Sequence, residues 1–182
     1  CKIPEILHSY ARRIIDERKI VQVPPFSRVL DMGCGTGRIG DAFRDISGEL
    51  HGVDLSEKML ELARDKCVYD AIFQTNNEDY LSQTVISYDL ILASDVLIYT
   101  GPLENLFSLV VDRLGKGGMF AFSVERLNEG TYSLQASTHY AHSEKYVLRL
   151  ARKYGLDVVY SQSVEKMRHD LNGNFFWLEK AD

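Results

Sequence analysis

The sequence predicts an α/β fold built on a doubly wound parallel sheet. Three observations carry that prediction. From Arg28 onward, apolar runs of strand length alternate with segments of helical spacing, the pattern of a parallel sheet covered on both faces. The run Val29-Leu30-Asp31-Met32-Gly33-Cys34-Gly35-Thr36-Gly37 joins a buried strand to a tight turn with three alternating glycines. Absent Cβ atoms there let backbone N–H groups meet a bound molecule directly. Leu50-His51-Gly52-Val53-Asp54-Leu55-Ser56 then reads as a second strand ending on an acid, which this topology brings beside the glycine turn.

The first element is a helix. Ile3, Ile6, Leu7, Tyr10, Ala11, Ile14 and Ile15 share one face at helical spacing, and Arg12, Arg13, Glu17 and Arg18 fall elsewhere, so residues 1–24 read as a cap helix with its lead-in. The chain opens at Cys1 without an initiator Met and enters this helix almost at once, which leaves room for a longer parent protein. Arg38, Ile39, Gly40, Asp41, Ala42 and Phe43 follow the glycine turn as the first turns of a second helix. Ser56 is placed to cap a helix carrying Met59, Leu60, Ala63 and Cys67, and Pro102 suits the first turn of one carrying Leu103, Leu106, Phe107, Val110 and Leu114. Ser143 precedes a last helix with Tyr146, Val147, Leu150, Ala151 and Tyr154, stopped by Gly155. Two strands, 156–160 and 174–178, close the chain on either side of a polar stretch, 161–173.

At 182 residues, the chain is long enough for one well-buried domain and too short for two ordinary ones. A net charge of −5 argues against a general nucleic-acid surface, which would show a basic stripe. Cys1, Cys34 and Cys67 are odd in number and far apart, so they form neither a disulfide framework nor a metal spacing, and a reducing cytosol is expected. No apolar run approaches bilayer length. The expectation is a soluble cytoplasmic protein with no membrane partner.

The spacing of the turn separates its meanings. A dinucleotide turn places a small residue three positions after the second glycine, and here that position is Arg38. A P-loop needs Gly-Lys-Ser/Thr after the turn, and none follows. Gly-x-Gly-x-Gly with an acid two residues before the first glycine instead resembles the S-adenosylmethionine turn of class I methyltransferases. The resemblance runs from about Tyr10 to about Lys180. Gly52-Val53-Asp54-Leu55-Ser56 is similar to the family's second motif, Tyr88-Asp89-Leu90-Ile91-Leu92-Ala93-Ser94 to its fourth strand, and Leu114-Gly115-Lys116-Gly117-Gly118-Met119-Phe120 to the approach into its fifth. The fourth-strand region, with Phe122-Ser123-Val124-Glu125 and Tyr140-Ala141-His142-Ser143, resembles a subgroup of uncharacterised bacterial methyltransferases, some with helical repeats upstream. The resemblance implies a Rossmann-like seven-stranded sheet in the order 3-2-1-4-5-7-6, its strand 7 antiparallel.

It also implies S-adenosyl-L-methionine as cofactor. Gly33, Cys34 and Gly35 approach its methionine portion and ribose, and Asp54, followed by Leu55, accepts from both ribose hydroxyls, which disfavours a 2′-phosphate. Many relatives carry an adenine-binding aspartate after Ala71-Ile72-Phe73-Gln74, where this chain offers Asn76 and Asn77, whose amides can still accept and donate. Ala93 and Ser94 border the methionine, and Tyr10 covers the cofactor from the cap helix. Cys34 otherwise reads as a small buried space-filler.

Methyl transfer from a sulfonium depends on alignment and exclusion of water, and needs a base only for a protonated nucleophile. Asp95 is placed to orient or deprotonate an acceptor and Tyr99 to wall the methyl channel; capping a turn and packing are the plainer roles for the two. His139 and His142 lie in an insertion, 127–142, that reads as a lid over the acceptor. An imidazole titrates near neutral pH and suits a base there; structural capping is the competing role, and metal binding lacks a third ligand. The leading expectation is methyl transfer to a small-molecule acceptor. A non-catalytic S-adenosylmethionine-binding regulatory module and a nicotinamide-dependent oxidoreductase are the alternatives, and oligomeric state is unread.

Overall fold

The computed structural model describes residues 3–168 and 171–181; Cys1 and the middle of the 161–173 stretch lie outside them. Among the described residues, nine strands form one mixed sheet. β1 (Phe26–Met32) is central, with β2 (Ser47–Asp54) and β3 (Ala71–Gln74) on one side and β4 (Tyr88–Ala93) and β5 (Leu114–Leu127) on the other, all parallel. β9 (Leu171–Lys180) runs antiparallel beside β5, and β8 (Leu156–Arg168) pairs outside it. Counting these seven strands, the order is the one the resemblance implies.

Two further strands fall in the 127–142 insertion. β6 (Tyr132–Leu134) and β7 (Tyr140–Ser143) form an antiparallel hairpin, and β7 runs parallel to the end of β5. Glu125 is in register with Gly173 of β9 on one edge and with Ala141 on the other. The hairpin therefore sits on the β4 side of β5, just past the end of β4, over the strand ends where open α/β sheets bind ligands. The sequence left β6 unread because all three of its residues are exposed, so no apolar alternation marks it. Likewise β8 continues through the polar residues 161–168, which the sequence reading gave to a connecting stretch. An edge strand with one solvated face keeps polar side chains.

Strand alternation sorts the core into two layers. Leu90 and Leu92 face one cluster with Val29, Ala121 and Trp177, covered by α1 (Ile3–Glu17) and α2 (Arg38–Phe43). Ile91 and Ala93 face the other with Leu30, Phe120 and Phe122, covered by α4 (Asn77–Gln83), α5 (Glu104–Arg113) and α6 (Glu144–Lys153). α3 (Glu57–Asp65) buries Leu60 and Ala63. Ile3, Leu7, Ala11 and Ile14 of α1 are fully buried, and Arg18 beyond its end grips Glu179 of β9 with both terminal guanidinium nitrogens, at 2.5 and 2.8 Å.

Capping follows the sequence in part. Ser143 accepts the Tyr146 N–H at 3.2 Å and Gly155 adopts φ +67° past α6. Ser56 holds the N-cap position of α3 without a side-chain bond, and its own N–H goes to Asp54. Pro102 precedes Leu103, the N-cap of α5, and so lies outside the first turn. α4 was not read from the sequence, although Asn76 caps it through Asp79 N–H at 2.8 Å.

Tyr69, between α3 and β3, keys the glycine turn to the sheet. Its hydroxyl donates to the buried Asp31 carboxylate at 2.6 Å and accepts the Gly40 N–H at 3.2 Å. A Cβ on Gly40 would lie 2.6 Å from Tyr69 Cζ and 2.8 Å from Val68 Cγ2. Gly40→Ala should therefore lower stability by roughly 1–2 kcal/mol, overpacking outweighing the gain in helix propensity. An unchanged urea midpoint would show that Tyr69 yields without cost.

Candidate active site

The C-terminal ends of β1, β2 and β4 meet at the glycine turn. Gly33, Gly35 and Gly37 take φ of +66°, +52° and +81°, backbone that residues with a Cβ rarely adopt. The turn is tied down by Cys34 N–H to Val53 O at 2.9 Å and Gly37 N–H to Cys34 O at 2.8 Å. Beside it, the half-buried Asp54 carboxylate accepts Gly35 N–H through Oδ2 at 2.9 Å and Ser56 N–H through Oδ1 at 2.8 Å. Each oxygen keeps a lone pair for a further donor.

The glycines do different work. Nothing lies within 4 Å of a Cβ built on Gly35, so that backbone is open to a ligand. A Cβ on Gly33 would lie 2.9 Å from Val96 Cβ and closer still to its Cγ2. On Gly37 it would meet Tyr69 and Lys66.

Two cavities flank this turn. One of about 310 Å³ is lined by Asp54, Leu55, Thr75, Asn77, Val96 and Tyr99, and one of about 140 Å³ by Pro4, Gly35, Thr36, Arg38, Ser94 and Asp95; Gly33 walls both. A larger cleft of about 480 Å³, between Pro24, Ser27, Gly48 and Asp89, lies at the opposite ends of the strands and touches none of this chemistry.

The amides separate. Asn76 Oδ1 accepts Asp79 N–H and its Nδ2 donates to the Asp79 carboxylate, so its side chain is occupied with capping. Asn77 Oδ1 is buried and has no hydrogen-bond partner in this structure. A buried orphan acceptor, an anchored carboxylate and a bare glycine face fit a ligand that carries an amino group and a pair of hydroxyls.

Several positions depart from the sequence reading. Tyr10 turns to β8, where its hydroxyl bonds Gln162 and its ring lies 4.9 Å from that of Tyr160; Pro4 is the α1 residue that reaches the site. Ala93 is fully buried in the core and lines neither cavity. His142 is fully buried, its Nε2 against Gly101 O at 2.8 Å and its ring stacked on Tyr146 at 6.1 Å. Burial pushes its pKa down, so the ring is held neutral and faces the core. Cys34 lines the smaller cavity, and burial drives its thiol pKa upward.

Tyr99 lines the larger cavity, and His139 lines neither cavity but packs on Tyr99. Tyr99 is 64% exposed and its ring meets His139 of the β6–β7 turn edge-on, with centroids 5.5 Å apart. His139 Nδ1 has no partner in this structure. Asp95 adopts φ +60° and donates its N–H to Ser123 Oγ at 3.0 Å. Val96, Thr75 and Pro4 were missed in the sequence because each reads as ordinary core or loop, and Arg38 because it reads as the start of a helix.

A family model described as a methyltransferase domain matches residues 30–120. Among curated proteins, the chain is 29% identical over 129 residues to a malonyl-[acyl-carrier protein] O-methyltransferase of Enterobacter lignolyticus, covering 69% of this chain and 51% of that protein. It is 27% identical over 130 residues to a ubiquinone biosynthesis O-methyltransferase of Thiobacillus denitrificans, covering 68% and 53%. The chain thus spans about half the length of the curated relatives it matches. Among solved structures, magnesium protoporphyrin IX methyltransferase of Synechocystis PCC 6803 with bound S-adenosylhomocysteine superposes with TM-score 0.75 at 16% identity, over 98% of this chain and 83% of that one. An S-adenosylmethionine-dependent methyltransferase of Clostridium acetobutylicum does so with TM-score 0.72 at 15% identity, over 96% and 91%. Among the described residues, no helix is long and apolar enough to cross a membrane. Because the family model spans half of the chain, from within β1 into β5, the chain belongs to the methyltransferase domain family, and it has the fold of the solved S-adenosylmethionine-dependent methyltransferases.

Proposed function

We propose that this domain transfers a methyl group from S-adenosyl-L-methionine to a hydroxyl of a small molecule. The observation that carries the reading is the Asp54 carboxylate, anchored on Gly35 and Ser56 beside an open glycine backbone. Asp54 takes the ribose hydroxyls, Leu55 packs on adenine, Asn77 Oδ1 accepts the adenine amino group, and Gly35 with Ser94 holds the methionine end. When bound, S-adenosylmethionine supplies a methyl on a sulfonium whose positive charge is lost as the methyl leaves.

The chain's own contribution is alignment. Tyr99 walls the approach, the β6–β7 hairpin excludes water as the lid of residues 127–142, and Asp95 orients the acceptor. His139 is the base that takes the hydroxyl proton, its free Nδ1 beside Tyr99 supporting the role. The relatives named as O-methyltransferases support an oxygen acceptor, and a nearby imidazole favours a hydroxyl, which must lose a proton, over a carboxylate, which need not. We read residues 1–182 as one domain. The net charge of −5 supports a small acceptor over a nucleic-acid strand, and free Cys34 and Cys67 support a cytoplasmic setting.

The test is mass-spectrometric detection of metabolites gaining one methyl when the protein and S-adenosylmethionine are added to cell extract. With the acceptor in hand, His139→Ala should lower kcat by about 10²-fold or more and leave S-adenosylhomocysteine affinity within about twofold. An unchanged kcat would remove His139 from the reaction.

A further inference from the structure

The cleft that the cofactor reading assigns is divided, and Val96 divides it. A molecule touching Asp54 in the larger cavity and Ser94 in the smaller one must pass over Gly33, the residue both cavities share. The Val96 side chain rests on that face of Gly33, in the space a Cβ would fill. The absence of a side chain at Gly33 is thus used here by a valine, whereas Gly35 keeps its face clear.

Val96 stands on a short irregular segment. Asp95 before it is in left-handed backbone, φ +60°, which aspartate adopts more readily than most residues with a Cβ. After it comes a single 3₁₀ turn, Leu97–Tyr99, whose Tyr99 N–H reaches Val96 O at 3.2 Å; such turns are weakly bonded. Leu97 and Ile98 are buried and fix the lower side of the segment, while Val96 and Tyr99 face the cleft. Turning Val96 about its own Cα–Cβ bond moves the methyls off Gly33 and leaves the backbone, and so Leu97, in place.

We propose that Val96 is a gating residue: it closes the cofactor cleft over Gly33 and must leave that seat before a ligand can bind both halves. The proposal rests on the cofactor reading above and adds a step to it. Ligands confined to the Asp54 half bind with the gate shut. Ligands that cross Gly33 bind only the open state, and their apparent affinity is reduced by its population.

Adenosine and S-adenosylhomocysteine separate these cases, because adenosine needs only the larger cavity. Both are titrated calorimetrically into the wild type and Val96→Ala, with association rates for S-adenosylhomocysteine measured alongside. Removing two methyls from the closed seat should tighten S-adenosylhomocysteine about tenfold relative to adenosine, mainly through a faster on-rate, because adenosine loses only the wall contact that Val96 makes in the larger cavity. Val96→Ile, which enlarges the gate, should slow the S-adenosylhomocysteine on-rate relative to wild type, so the proposal stays testable if the alanine variant folds poorly. Equal changes for both ligands, or no change for either, would overturn the gate and leave the cofactor assignment standing. Wild-type protein binding neither ligand would overturn both.

Discussion

Asp54→Ala should weaken S-adenosylhomocysteine binding by about 10²- to 10⁴-fold. The range follows from two charge-assisted hydrogen bonds to ribose hydroxyls at roughly 1.5–3 kcal/mol each. The same substitution strips acceptors from the N–H groups of Gly35 and Ser56, so part of the loss comes through a looser turn. Asp54→Asn separates the two contributions. Its amide keeps one acceptor oxygen and sets an NH₂ against one of the two backbone donors, so the carboxamide should bind more tightly than alanine and less tightly than wild type. Calorimetric titration gives the affinities, and urea unfolding of each variant measures the damage to the turn. Affinity within threefold of wild type for Asp54→Ala would place the ribose elsewhere.

The parts of this site legible in the sequence are those where backbone geometry dictates residue type. Alternating glycines and a strand-end acid leave few other readings, and both lie where the sequence placed them. The strand order followed from resemblance, since periodicity assigns strands without ordering them. What stayed hidden depends on which way a side chain turns. His139 and His142 are equivalent on paper, yet β7 sends His142 into the core against Gly101 while His139 stays in the preceding turn. Asn76 and Asn77 likewise diverge, because one becomes a helix cap and the other keeps a free acceptor. A clue was present in the Asp79 that follows Asn76 by three residues, the spacing of a cap with its reciprocal partner. Val96 gave no signal, since a valine after a strand reads as core until its position over Gly33 is seen.

Asp31→Asn should stabilise the protein at pH 8 and leave it almost unchanged at pH 4. Asp31 is 1% exposed, and burial, the largest influence, raises its pKa to about 7; the nearby Asp54 adds to the rise and the Tyr69 hydroxyl opposes it. The unfolded chain releases this proton near pH 4, whereas the folded chain holds it to about pH 7. Between those values the folded state binds more protons, so stability from this group is full below pH 4 and lost as pH rises to 7. Asparagine mimics the protonated acid, still accepts from Tyr69 through Oδ1, and carries no charge to bury. The gap between variant and wild type should therefore open across that window and level off above it, reaching a few kcal/mol. Urea unfolding at pH 4, 5.5, 7 and 8 measures it. A gap independent of pH would show that Asp31 is ionised throughout and that the hydroxyl of Tyr69 suffices to hold its charge in the interior.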